Sequence, residues 1–207
     1  MRDLAPFVDL ETLNSPAPVA LPENWNLNTP VLITAGMMRK GKKDRNFFML
    51  AEMLSELLDQ TWNLVVVGGG PELENIQAAF DFIPENRIHW TGQVEHSEVL
   101  GWMQKGDIFV WPGWKEPIGM VYLEAQSQGL PVIAHKSLGV PLVVEHGQTG
   151  LLSPEDDNDA MRCNLRSLLG DPDRTKLMGQ NAKKRVAQNH SIEAAAARLN
   201  EILAEFE

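Results

Sequence analysis

The 207-residue chain predicts an α/β fold built on a doubly wound parallel sheet. Three observations carry that reading. Short, largely apolar runs of strand length recur after Pro30, at residues 31–35, 63–67, 88–90, 108–111 and 131–134. Segments with helical spacing of apolar residues lie between them, and strands buried on both faces with helical crossovers make a parallel sheet. Gly68, Gly69 and Gly70 directly follow the second run, with Pro71 where a crossover helix would open, a strand-to-helix turn of the Rossmann-like kind.

The elements follow in order. Residues 1–30 carry Pro6, Pro16, Pro18, Pro22 and Pro30 and sustain no period, so they read as an irregular linker or arm. Residues 31–190 read as the Rossmann-like domain. In it, Phe47, Phe48, Leu50, Ala51, Leu54, Leu57 and Leu58 form one helical stripe, and Val99, Leu100 and Met103 part of another. The last third is helical: residues 156–169, a helix with Pro172 in its first turn, and a C-terminal helix within 191–207. These are extra helices beyond the sheet.

Composition narrows the function. Hydrophobic residues make up 43% of the chain, enough for a large core, and the net charge is −10. An acidic chain does not suit nucleic acid or direct insertion into anionic membranes, which need a positive face. Any anionic ligand must be held by a local cluster of donors. The single cysteine, Cys163, permits no internal disulfide and fits the reducing cytoplasm.

One such cluster stands out. Arg39, Lys40, Lys42, Lys43 and Arg45 follow the first strand, interleaved with Gly41. Ligands of doubly wound sheets sit beyond the carboxyl ends of the strands, so the cluster reads as a phosphate site rather than a merely solvated loop. The stretch Gly36 to Lys42 fits G-x-x-x-x-G-K, which keeps a P-loop nucleotide-binding protein (NTPase or kinase) as the alternative. Against it, Lys43 stands where Ser or Thr should hold magnesium, and helical periodicity resumes only near Asn46, so Lys42 is not expected to open the helix. Gly68–Gly70 fails as a dinucleotide fingerprint, because Leu73 occupies the third glycine position. The richest stretch runs from Trp111 to Ala125. Glu124 lies in an apolar helical segment, where a carboxylate needs a hydrogen-bonding partner such as a sugar diol or a nearby base. Gly119 begins that helix, whose first N–H groups could receive a diphosphate. Glu116 precedes it, at the mouth of the site or as a solvated loop charge.

These residues resemble the E-x7-E region of retaining glycosyltransferases of the GT-B fold, family 4 type. The resemblance runs through Glu116-Pro-Ile-Gly119, Glu124-Ala125 and Gly129-Leu-Pro-Val-Ile-Ala134. Val65 to Glu72, Ile88 to Gly92, Asp107 to Pro112, Gly139 to Pro141, Glu145 to Gly147 and Thr149 to Leu152 match further pieces in the family's order. It covers roughly residues 31 to 190 and implies one half of a GT-B fold, binding a UDP- or GDP-linked sugar, with retention at the anomeric carbon and no required metal or other cofactor. It implies diphosphate contacts from an arginine and a lysine after the first strand. Met37 stands at the usual arginine position, leaving Arg39 as the substitute, with Lys43 or Lys42 as the lysine. It implies Glu124 at the ribose and Glu116, the catalytic residue, near the transferred sugar. Pro117 lacks an N–H, so the remaining phosphate donors fall at Gly119 and Met120. The acceptor domain, N-terminal in the family, is expected to be absent, with Met1 an added or internal start and the isolated chain inactive in transfer. Trp111 reads as core and Trp114 as a loop residue that packs or meets a sugar. His89 and His190 read as having no partner, His96 and His146 as surface turn residues, and Cys163 as an inert small hydrophobe.

Overall fold

The computed structural model describes residues 4–205; Met1 and the last two residues of the C-terminal segment lie outside them. Six parallel strands form one sheet: β1 (Val31–Ala35), β2 (Asn63–Val67), β3 (Ile88–Gly92), β4 (Ile108–Val110), β5 (Val132–His135) and β6 (Gly150–Ser153). Their order is β3-β2-β1-β4-β5-β6. This is the doubly wound arrangement, with its switch point between β1 and β4, where crossovers leave in opposite directions and open a crevice at the carboxyl ends. β6 carries no strand signal in its Gly-Leu-Leu-Ser sequence. Pairing with β5 in register from Val132↔Gly150 to His135↔Ser153 makes it a strand.

Helices cover both faces. α2 (Lys42–Ser55), α3 (Leu73–Ala79), α4 (His96–Gln104) and α5 (Met120–Ser127) follow the first four strands. α6 (Val140–Val143), α7 (Asn158–Leu169), α8 (Pro172–Asn189) and α9 (Ile192–Ala204) complete the chain. The apolar stripe is narrower than its sequence implies: Phe47, Leu50, Ala51 and Leu54 of α2 are buried, as is Leu57 just beyond its end, while Phe48 and Leu58 face outward. Lys42 does open α2, with Gly41 at its N-cap and the Asp44 carboxylate accepting from the Gly41 N–H at 3.0 Å. Helical periodicity missed that first turn because its polar residues bury little, whereas the cap closes it.

Residues 4–30 include one short helix, α1 (Leu10–Leu13), and are otherwise largely irregular. They are packed against the body: Val8, Leu13 and Trp25 join its core, Val8 bridges Ser191, and the Ala17 N–H donates to the Ser97 carbonyl at 2.8 Å. α8 buries Thr175, Met178, Gly179, Ala182 and Val186, whereas α9 buries no residue. Cys163, on α7, is exposed rather than tucked inward as a hydrophobe. Among the described residues no helix is long and apolar enough to cross a membrane.

Candidate functional site

The site forms at the switch point, from the turns after β1 and β2 and the loop after β4. The first two turns lock together. The Gly36 N–H donates to the Val67 carbonyl at 3.0 Å and the Met38 N–H to that of Gly69 at 2.9 Å. Gly68 has a positive φ of 121°, and a Cβ there would stand 2.3 Å from the Gly36 carbonyl oxygen. Only glycine allows this approach. The two turns thereby leave a cleft floored by backbone.

The loop after β4 is held from three sides. Tyr122 of α5 is fully buried beneath it and donates to the Trp111 carbonyl at 3.1 Å. Gly119 caps α5 in the left-handed region, where a Cβ would stand 2.5 Å from the Tyr122 ring. From α2, the buried Asn46 side chain accepts the Trp114 N–H at 2.8 Å and donates to the Lys42 carbonyl at 2.6 Å. From the turn after β5, the Ser137 hydroxyl accepts the Lys115 N–H at 3.1 Å. Lys115 itself holds a φ of 52°, a strained conformation beside Glu116. Burial, and secondarily the Glu116 charge, pushes the Tyr122 hydroxyl well above its ordinary pKa, so it stays a neutral donor.

Two cavities result. The larger, about 660 Å³, is lined by Gly36, Arg39, Lys43, Gly68, His96 and Glu124, among others. The smaller, about 450 Å³, is lined by Arg39, Lys42, Lys43, Asn46, Trp114 and Glu116, with Lys40, Lys115 and Pro117. Arg39 and Lys43 belong to both, so two cations stand where the cavities meet. Lys43 donates to the Glu116 carboxylate at 3.1 Å, and its ammonium lies 5.5 Å from the centre of the Trp111 ring. Lys42 turns toward the Lys115 carbonyl at 3.4 Å and lines only the smaller cavity. Gly119 and Met120 line neither; they form the N-cap and first residue of α5, in the chain between Glu116 and Glu124. Trp114 packs between two cations, Arg45 at 4.0 Å and Lys115 at 4.4 Å.

Glu124 is partly buried and not bare. Its Oε1 lies 3.2 Å from Nε2 of His96, the first residue of α4. His96 is exposed, as its sequence context implied, but it opens a helix rather than lying in a turn, and it lines the larger cavity with Glu124. The pairing spans 28 positions and two helices, so no local signal could reveal it. Asn46 was equally hidden, since a single asparagine inside a helical stripe carries no mark of its partners. His190 also has a partner, the Pro6 carbonyl, 2.7 Å from Nδ1. His89 meets the Trp102 ring at 5.0 Å.

The chain is similar to known proteins over nearly its whole length. The family model for glycosyl transferases group 1 matches residues 22–185. A GDP-mannose-dependent alpha-(1-6)-phosphatidylinositol monomannoside mannosyltransferase of Mycolicibacterium smegmatis is 31% identical over 217 residues, 98% of this chain and 56% of that protein. Among solved structures, a sucrose-phosphate synthase from Thermosynechococcus elongatus superposes with a TM-score of 0.78 at 23% identity, over 98% of this chain and 52% of the other. Anabaena HepE, solved in complex with UDP and glucose, gives a TM-score of 0.70 at 22% identity, over 86% of this chain and 49% of the other. The chain thus spans about half the length of each of these proteins.

Proposed function

The chain belongs to the glycosyl transferases group 1 family, and from that premise we propose that it is the donor-binding half of a retaining glycosyltransferase. The donor is a UDP- or GDP-linked sugar, and the parent protein transfers its hexosyl group to a sugar or lipid acceptor. The acceptor domain belongs to the half that the relatives have and this chain does not span. The reaction runs in the cytoplasm, where an exposed lone thiol such as Cys163 stays reduced.

One observation carries the reading: Arg39 and Lys43 join two cavities, one ending at Glu124 and the other holding Glu116. A nucleotide sugar has the same order of parts. Its nucleoside fits the larger, glycine-walled cavity with the ribose diol toward Glu124. Its diphosphate meets Arg39 and Lys43, which line both cavities. Its sugar reaches the smaller cavity, where Glu116 and Lys42 meet hydroxyls. As the bond from the sugar to the diphosphate breaks, negative charge grows on the leaving phosphate. Fixed cations at the junction stabilise that charge more than they stabilise the ground state, which is where catalysis gains. Those cations do the work a metal would otherwise do, so no metal is required.

A P-loop NTPase is not favoured. Lys42 occupies the right place in α2 for one, but it faces away from the larger cavity, and Lys43 replaces the hydroxyl that would hold magnesium. The test is titration of this chain with UDP, GDP, their glucose and mannose conjugates, and ATP, each with and without EDTA. Binding of a UDP or GDP ligand that EDTA leaves unchanged is expected. Binding of ATP alone, and only with magnesium, would overturn the donor-site reading.

A further inference from the structure

The resemblance gives His96 no role, yet its ring meets the Glu124 carboxylate and both line the larger cavity. Its Nε2 stands 3.2 Å from Glu124 Oε1. Its ring is 49% exposed and Glu124 is 23% exposed, so both groups face the cavity they line. The contact joins the first turn of α4 to α5. The backbone around it is fixed: Glu95 caps α4 and accepts from the Glu98 N–H, while the Glu98 carboxylate reaches back to the Glu95 N–H at 3.1 Å. A glutamate in a helix has three soft side-chain torsions, and a partly exposed one samples several rotamers. A hydrogen bond to one carboxylate oxygen removes most of that freedom and leaves the other oxygen to accept from a ligand in the cavity that Glu124 lines.

We propose that His96 is the positioning residue for Glu124, and that the pair makes this site select ribonucleoside diphosphate donors over 2′-deoxyribonucleoside ones. The inference rests on the donor-site reading above. Its chemistry is that of a charged acceptor aimed at a vicinal diol. A diol can donate both hydroxyls to one held carboxylate, whereas a 2′-deoxyribose offers one. A site built around a substrate hydroxyl rejects the analogue lacking it, because the buried acceptor is left unpaired. A carboxylate free to swing would follow whichever hydroxyl remained and would discriminate less. The other charged groups lining the cavity, Arg39 and Lys43, stand at its junction with the second cavity and serve the diphosphate, so they act alike on both ligand types.

The experiment is calorimetric titration of this chain with UDP and 2′-deoxy-UDP, and with GDP and 2′-deoxy-GDP. The proteins are the unchanged sequence, Glu124→Gln, His96→Ala and His96→Gln, each checked by thermal melting. The unchanged chain is expected to prefer the ribonucleotide by about tenfold or more. His96→Ala should lose most of that preference, as Glu124→Gln does, while losing little affinity for the deoxynucleotide. His96→Gln, whose amide nitrogen can take the place of Nε2, should restore it. A merely structural histidine would weaken both ligands equally, and that outcome overturns the proposal. So does a preference that survives in His96→Ala but vanishes in Glu124→Gln, which leaves the donor site standing. If the unchanged chain binds no nucleotide, the donor-site reading itself falls, and this inference with it.

Discussion

Arg39 and Lys43 stand at one junction but are held differently. Lys43 is tied to Glu116, while Arg39 is exposed on the turn after β1. Arg39→Ala should therefore leave the fold intact and weaken a nucleoside diphosphate by about 1.5–3 kcal/mol, while scarcely changing the parent nucleoside, because only the former carries the charge it meets. Titrating UDP against uridine, or GDP against guanosine, measures this, and equal losses would remove Arg39 from the phosphate site. Asn46 makes a different prediction. Its buried amide serves the Trp114 N–H and the Lys42 carbonyl. Asn46→Ala leaves both to find new partners at the place where α2 holds the loop after β4. Urea unfolding should show a loss of about 1–3 kcal/mol, and nucleotide affinity should fall with it, since both cavities share that loop.

At the scale of elements, three histidines set the response to acid. His89 lies in β3, His135 in β5, and His190 at the C-cap of α8. Burial holds all three below the ordinary histidine pKa. For His135 and His190 it outweighs the opposing pull of the Pro154 and Pro6 carbonyls. The sign follows from linkage. Above about pH 6.5 both folded and unfolded chains hold these rings neutral. Below it the unfolded chain takes up protons first, so stability is lost as the pH falls through that value toward the lower folded pKa values. Chemical denaturation at pH 7.5, 6.5 and 5.5 should show a progressive drop. His135→Asn, which keeps an atom that can bond where Nδ1 meets Ser153 and Pro154, should make that drop shallower by one ring's share. A pH-independent stability over that range would show that the three rings are hydrated in solution.

For the molecule as a whole, the irregular arm is part of the folded unit. Leu13 and Trp25 are nearly inaccessible to solvent and join the same core as the sheet. Trp25→Ala is expected to cost about 3 kcal/mol or more, read as a shift of the single urea transition rather than as a separate early phase. A transition that does not move would mean the arm docks without contributing. The chain alone is expected to bind donor but transfer no sugar. Closure of two halves around the reacting centre positions the acceptor and excludes water, and this chain spans about half of its relatives' length. Incubation with nucleotide sugars and lipid or sugar acceptors tests this; robust transfer would place an acceptor site within these residues.

The sequence by itself determined the sheet. Five strands were legible because strands of a helix-covered sheet are mostly apolar along their length, and residues 31–35 and 63–67 became β1 and β2 without change. The glycine turn, the basic cluster and the two glutamates were legible for the same local reason: each is a short pattern of neighbouring residues. What tertiary structure alone decided was everything set by pairing at a distance. β6 is a strand because β5 offers it hydrogen bonds, and α2 begins at Lys42 because a cap, not a hydrophobic stripe, closes its first turn. Arg39 and Lys43 share two cavities only because the turn after β1 and the loop after β4 meet at the switch point. His96 reaches Glu124 only because α4 and α5 lie side by side. Periodicity records which face of an element is buried, whereas a contact between two polar side chains on different helices leaves no period to read.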